Sequence, residues 1–278
     1  MKLIFHGACK EVGRSCIELQ VKEDQYLFDA GIKFTARGYD YPEGVFEHHK
    51  IDGLFLSHAH LDHSGGLPLF EHKNLLCPIF TTEETRTLIK ILLKDSYKVA
   101  HIRHLDPAYE RIDLKKVQRN TRIVQFDKLY NHRYIQFKFY NAGHIPGSAS
   151  IWVKAQDKTI VYSGDINTIT TPLMQAASTD YGPVDILITE STYGGINHEK
   201  RDDIKERFLD KIEETIKRGG KALIPTFSLG RAQDILIMLS ERNFNSPIYF
   251  DGMCVKLTKK ILLGSNAYLN REDRKSVV

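Results

Sequence analysis

The sequence predicts an α/β (α+β) chain in two parts: a sheet-rich layered domain over residues 1–198 and the start of a parallel α/β module over residues 199–278. Three observations predict it. The first third alternates short apolar runs with turn residues and carries few helix signals. After Pro183 the pattern changes to strict strand, helix, strand, helix. Finally, 278 residues with 42% hydrophobic and 27% charged side chains and a mean hydropathy of −0.33 support a sizeable core. That composition excludes a disordered, collagenous or membrane-spanning chain.

Taken in order, residues 3–5, 15–21, 26–29 and 53–57 read as strands of one sheet. A helix is signalled next, because Thr81 and Glu84 have capping-box spacing and Leu88, Ile89, Leu92 and Leu93 supply an apolar face. Residues 94–119 turn basic and less periodic. A second strand series follows at residues 122–125, 134–140, 149–154 and 159–163, as expected for sheet layers covered by helices on their outer faces. Residues 184–189 form a strand. Residues 199–218 form an amphipathic helix with Ile204, Phe208, Ile212 and Ile216 at every fourth place, stopped by Gly219 and Gly220. Strands at 221–225 and 247–250 alternate with helices at 230–241 and 253–263, which predicts parallel strands joined by right-handed crossovers.

Lys and Arg number 39 against 35 Asp and Glu, for a net charge of +4. This mild excess suits a polyanionic partner without demanding one. Cys9, Cys16, Cys77 and Cys254 have no paired CxxC spacing, which argues against a zinc knuckle or disulfide framework and for a reducing, cytoplasmic setting. The start reaches His6 and Gly7 before it builds a signal-peptide apolar stretch, and no later apolar run approaches membrane-spanning length. No membrane partner is expected.

The sharpest feature is His58-Ala-His60-Leu-Asp62-His63, directly after the apolar strand Leu54-Phe-Leu56. Neutral imidazoles and carboxylates are the nitrogen and oxygen donors that zinc prefers, and placing four where a strand ends lets the loop fold around a cation. His58 and His60 point to one side of the loop, while Asp62 and His63 enter a helix start aimed at a second position close by. Four donors cannot complete two sites. Two further residues occupy equivalent strand-end places: His144 in Asn141-Ala-Gly-His-Ile-Pro-Gly147 and Asp165 in Tyr162-Ser-Gly-Asp165. A carboxylate at the latter place can bridge two metals about 3.5–4 Å apart. Asp29, in Leu27-Phe-Asp-Ala-Gly31, is another strand-end carboxylate, suited to orienting a ligand through hydrogen bonds. Taken singly, His144 and Asp165 are better read as capping or solvated residues, whereas the 58–63 segment alone already favours a metal; the order of all these segments along the chain outweighs the bland reading.

That order resembles the metallo-β-lactamase superfamily, with its motif 1 at Asp29, motif 2 at His58 to His63, motif 3 at His144 and motif 4 at Asp165. Glu11-Val-Gly-Arg-Ser15, His63-Ser-Gly-Gly-Leu-Pro68, Thr189-Glu-Ser-Thr-Tyr-Gly194 and Pro225-Thr-Phe-Ser-Leu-Gly-Arg-Ala-Gln233 resemble its β-CASP branch. That branch holds RNA-processing nucleases akin to the cleavage and polyadenylation specificity factor endonuclease and its archaeal relatives. The resemblance implies a metallo-β-lactamase αββα sandwich with an inserted parallel α/β β-CASP module beginning near residue 199. It implies two zinc ions, with His58, His60 and His144 on one, Asp62 and His63 on the other, and Asp165 between them. The implied reaction is hydrolysis of an RNA phosphodiester by a water that the metals activate. Asp62 and Asp29 would serve that centre, and Glu190 matches the acid on the leaving-group side. Arg231 and Gln233, at a helix start beside Gly230, suit phosphate recognition, a structural salt bridge being the equal alternative.

Relatives return from the inserted module with two more histidines, a proton donor and a ligand of the second zinc, whereas the last histidine here is His198 in another context. The sequence therefore predicts a weak second zinc site and an isolated chain short of a general acid, whose help is worth about 10²–10⁴ in rate. It also predicts a complementary C-terminal chain from a split or truncated gene, with a homodimer as a further partner arrangement. The basic residues 94–122, Lys115, Lys116 and Arg119 among them, read as an RNA-contacting surface or a solvated helix face. Three functions compete: a zinc-dependent ribonuclease, an inactive paralogue that binds RNA or protein, and a small-molecule hydrolase cleaving thioesters or lactones. Segments 189–194 and 225–233 favour the ribonuclease.

Overall fold

Two sheets face each other, and the side-chain alternation along their strands explains why. The computed structural model describes residues 1–36, 38–47, 50–75, 77–105, 107–264 and 268–270. The first sheet comprises β1 (Lys2–Phe5), β2 (Ile17–Val21), β3 (Asp24–Phe28), β6 (Gly53–Phe55), β7 (Ile79–Thr81) and β8 (Thr121–Ile123) in that spatial order. Its first three strands pair antiparallel and the rest parallel. A short hairpin, β4 (Lys33–Thr35) with β5 (Gly38–Asp40), stands apart. The second sheet runs β13 (Ile186–Ile188), β12 (Lys158–Tyr162), β11 (Ala149–Ala155), β10 (Ile135–Asn141) and β9 (Tyr130–His132), parallel only between β12 and β13.

Successive strand residues point to opposite faces. Ile17, Leu19, Tyr26, Phe28 and Phe55 therefore meet Phe137, Phe139, Ile151, Val153 and Ile160 in one buried layer between the sheets. Leu27, Leu54 and Leu56 turn the other way and join a second buried layer beneath the helices. Those helices are α1 (Leu61–Ser64), α2 (Leu67–His72), α3 (Glu83–Ile102) and α4 (Arg111–Asn120). The mixed α/β class predicted from sequence is the one observed.

Several local expectations shift. The cap of α3 is Thr82, whose Oγ1 accepts from the Thr85 amide at 3.2 Å, and not Thr81. Thr81 instead ends β7 and donates its hydroxyl to Leu56 O at 2.9 Å. The basic stretch after Lys94 is helical through both α3 and α4, and α4 starts with a reciprocal Glu110–Asp113 capping box. Beyond residue 200, α5 (Arg201–Lys217), α6 (Arg231–Ser240) and α7 (Met253–Leu262) form as expected. Residues 221–225 and 247–250 do not pair as strands among the described residues. Leu223 is 92% exposed, Phe227 82% and Tyr249 88%, so no neighbour supplies the ladder bonds and double-faced burial that a parallel strand needs. Leu209 and Ile212 of α5 share a small core with Leu239 of α6, whereas Ile237, Leu257 and Ile261 of α6 and α7 join the layer under α3.

Candidate metal centre

The C-terminal ends of β3, β6, β10 and β12 open on one edge of the sandwich, and each delivers one of the predicted residues: Asp29, His58, His144 and Asp165. Local backbone bonds fix these ends. Asp29 takes φ +60°, a left-handed conformation that Asp reaches more readily than most residues. Gly31 passes so close to α1 that an added Cβ would lie 1.6 Å from Asp62 O. The one-turn helix α1 then carries Asp62 and His63 back over the strand ends. The His144 loop is tied down by Ser148 Oγ, which accepts from the His144 and Ile145 amides, while Thr82 and Thr85 hydroxyls donate to Gly147 O.

Asp29 is the buried hub. Its Oδ1 accepts from the Ser57 amide at 2.7 Å, and Oδ2 accepts from Ser57 Oγ at 2.7 Å, Tyr162 OH at 2.7 Å and His63 Nδ1 at 2.6 Å. Both hydroxyls donate to Asp29, so each spends its proton there. Ser57 Oγ must then accept from His58 Nδ1, 3.0 Å away, and Tyr162 OH from Ser15 Oγ at 2.9 Å. One carboxylate thereby sets the Nδ1–H tautomer of His58 through Ser57, and it holds the Nδ1 proton of His63 directly.

The freed ring nitrogens converge. Ligand atoms of His58, His60, His144 and Asp165 lie within 4.8 Å of one another, and so do those of His58, Asp62 and His63. Asp165 Oδ1 stands 3.2 Å from His63 Nε2, while its Oδ2 stands 3.4 Å from His144 Nε2 and 3.7 Å from His58 Nε2. The fully buried His58 Nε2 has no hydrogen-bond partner. A buried imidazole nitrogen left without a partner, aimed at a carboxylate and three other imidazoles, fits a cation coordinated by nitrogen and oxygen.

Electrostatics divides the rings. Burial pushes the His58 pKa well below the ordinary histidine value, and the neighbouring His63 reinforces the shift. Burial lowers His60 too, and it brings His144 to about 4. For His63 burial acts the same way, but Asp29 and Asp165 outweigh it and hold the ring well above its ordinary value. Asp165 is depressed far below the carboxylate range because the histidines outweigh its own desolvation. Three neutral ligands and a carboxylate are thus ready for a cation without losing protons.

A model of the β-lactamase superfamily domain matches residues 24–200. The chain belongs to the metallo-β-lactamase superfamily. Probable RNase MJ4 of Methanocaldococcus jannaschii is 42% identical over 265 residues, covering 94% of this chain and 62% of that protein. RNase aCSPSF2 of Saccharolobus solfataricus is 37% identical, covering 96% and 54%. Cleavage and polyadenylation specificity factor 73 of Drosophila melanogaster is 35% identical, covering 95% and 40%. The chain spans between 40% and 62% of these relatives' lengths.

Within this metallo-β-lactamase centre the remaining predicted residues divide. Glu190 stands outside both ligand groups; its Oε1 accepts from the Ile166 amide at 3.0 Å and so braces the turn after Asp165. Arg231 is 58% exposed and stands 3.5 Å from Asp234, and its charge adds a minor opposition to protonation of His144. Gln233 is buried and bonds within its own turn and to α7. Sequence reasoning did not assign Ser15, Ser57, Tyr162 or the Leu229 carbonyl, which lies 3.4 Å from His60 Nε2. Tyr162 and Ser57 had a legible signal, since each stands within three residues of a proposed ligand at a strand end; the carbonyl had none.

Proposed function

We propose that the chain is the metal-binding part of a zinc-dependent ribonuclease that hydrolyses phosphodiester bonds in RNA processing or decay in the cytoplasm. The observation that carries this reading is Asp165, whose two oxygens face two different ligand groups. The ribonuclease names of its relatives supply the substrate class.

His58, His60 and His144 would hold the first zinc and Asp62 and His63 the second, with Asp165 between the two donor groups. Bound there, the ions supply Lewis-acid activation of water and of a phosphoryl oxygen. Asp29 keeps the Nδ1 proton of His63 and, through Ser57, that of His58, so both Nε2 lone pairs face the ions. Asp62 Oδ2, at the partly exposed mouth, would accept a hydrogen bond from incoming water and orient it. Arg231 steadies a phosphate beside His144. Glu190 keeps the Asp165 turn in place on the leaving-group side.

Residues 1–198 form the catalytic domain and residues 199–278 part of a second module. A complementary polypeptide pairs with residues 221–227 and 247–249, whose exposed Leu223, Phe227 and Tyr249 need a neighbouring strand. A homodimer is the alternative occupant, and the mass in solution separates the two. The exposed basic face of α3 and α4 guides RNA. Lys116 is engaged with Asp113 at 2.6 Å, so Lys115 and Arg119 carry the free charge; replacing both with Gln should lower the salt slope of RNA binding by about 2.

The decisive assay compares labelled RNA with a thioester, for the wild-type chain and Asp62→Ala, with zinc added. Zinc-dependent RNA cleavage that Asp62→Ala abolishes supports the reading. Thioester turnover in its place overturns it in favour of a small-molecule hydrolase, and RNA binding without cleavage at full zinc loading favours the inactive paralogue only where it persists after the complementary polypeptide is added.

A further inference from the structure

A turn of the second module at residues 228–230 touches the metal centre. The Leu229 carbonyl lies 3.4 Å from His60 Nε2, across 169 residues of sequence. On the other side of the ring, His60 Nδ1 lies 3.1 Å from His144 Nε2, among the ligand atoms. A carbonyl oxygen only accepts, so this contact places the proton of neutral His60 on Nε2 and leaves the Nδ1 lone pair for a cation. His60 is thus the opposite tautomer to His58, set from the other end of the chain.

What seats the turn is Gln233. It is 1% exposed, its Oε1 accepts from the Gly230 amide at 2.8 Å, and its Nε2 donates to Ser228 O at 3.1 Å and Thr258 Oγ1 at 2.8 Å. Both amide protons and an oxygen lone pair are spent, which leaves no polar face for a phosphate. Gly230, at φ +87°, lets the turn close on the His144 loop: an added Cβ would sit 2.7 Å from Ile145 Cγ2.

We infer that Gln233 is a positioning residue of the metal centre: it clamps the 228–230 turn so that the Leu229 carbonyl selects the His60 tautomer that binds the first cation. At 3.4 Å the contact is already long, and a further few tenths of an ångström carries it out of hydrogen-bond range. The ring then divides its proton between the two nitrogens, and the Nδ1-protonated fraction cannot bind. The inference rests on the proposed metal centre and makes no use of RNA.

Zinc titration of the metal-free chain, against a competing chelator, tests it alongside the imidazole nitrogen shifts of metal-free His60. Gln233→Leu should weaken the first site about 10-fold and move the His60 shifts toward mixed tautomers. The second site, identified by its loss in Asp62→Ala, should keep its affinity. Thr258→Val, which removes only the far anchor, should give a smaller loss of the same kind. Unchanged first-site affinity with unchanged His60 shifts overturns the inference, as does equal weakening of both sites, which marks general loosening. If Gln233→Leu does not fold, Thr258→Val decides on the same readouts. A chain that takes up no zinc at either site sinks the proposed centre instead, while the His60 shifts still judge the turn.

Discussion

His63 and His60 are three residues apart and are held in opposite ways. His63 gives its Nδ1 proton to Asp29 at 2.6 Å, inside a fully buried network that draws on both sheets through Ser57, Tyr162 and Ser15. His60 gives its Nε2 proton to one carbonyl at 3.4 Å, from the turn that precedes α6. The first arrangement is charged, multiply anchored and internal to the sandwich; the second is neutral, single and borrowed. Geometry at the His63 side is therefore insensitive to movement of the 228–230 turn, whereas the His60 side registers it.

The comparison breaks most severely at Asp29. Replacing it with Ala strands the Ser57 amide, Tyr162 OH and His63 Nδ1 without an acceptor, at about 1–3 kcal/mol each. Urea unfolding of the metal-free protein should show a loss of about 3 kcal/mol or more. Zinc titration should show the second site weakened about 100-fold. First-site binding falls less, because His58 keeps Ser57 beside it. If both sites weakened equally, the network would not belong to His63 in particular.

Much of this centre was legible in the sequence, for a physical reason. Ligands that leave strand ends follow an apolar run and sit beside a small residue, as with Ala59 after His58, Ala30 after Asp29, Gly143 before His144 and Gly164 before Asp165. The two-layer sheet core followed from alternation, as at Tyr26, Leu27 and Phe28, which face opposite layers. The paired state of residues 221–225 was not legible, because a strand pattern states what a segment can do once a neighbour is present and says nothing of whether one is. The Leu229 carbonyl was invisible for a related reason: a backbone acceptor carries no side-chain signature, and its partner is 169 residues away.

The next effect is a difference in pH dependence. His63 is raised well above the ordinary histidine value of about 6.5, so it is protonated in the metal-free chain at neutral pH and must release that proton to bind zinc. Second-site affinity should therefore rise up to about 10-fold per pH unit from about 6.5 until the His63 pKa is passed. His58, His60 and His144 are lowered, His144 to about 4, so first-site affinity should stay flat over the same window. Stability of the metal-free chain follows the same signs. The His63 contribution is fully present below about 6.5 and lost as pH rises through its folded pKa, whereas His58 and His144 cost stability as pH falls from about 6.5 toward 4. Calorimetric titration in buffers of different ionisation enthalpy counts the protons. One proton released at the second site and none at the first is the expected result, and release at both would erase the distinction.

The smallest effect is also the most selective. Tyr162→Phe keeps the ring against Phe28, 5.3 Å away between centroids, and removes only the hydroxyl that joins Asp29 to Ser15. One of four donors to Asp29 is lost and three remain, so the hub stays in place. A lost hydrogen bond of about 1 kcal/mol corresponds to about a fivefold change in an equilibrium constant. Second-site zinc affinity should fall by about that factor, with the first site and the metal-free His60 shifts unmoved. Tyr162 reaches Asp29 from the opposite sheet, so this variant asks whether the packing of the two sheets is felt at His63. A fivefold loss confined to the second site says that it is. An unchanged second site says that Ser57 alone holds Asp29, which would leave the two histidines differing in bond length and charge but not in the number of elements that restrain them.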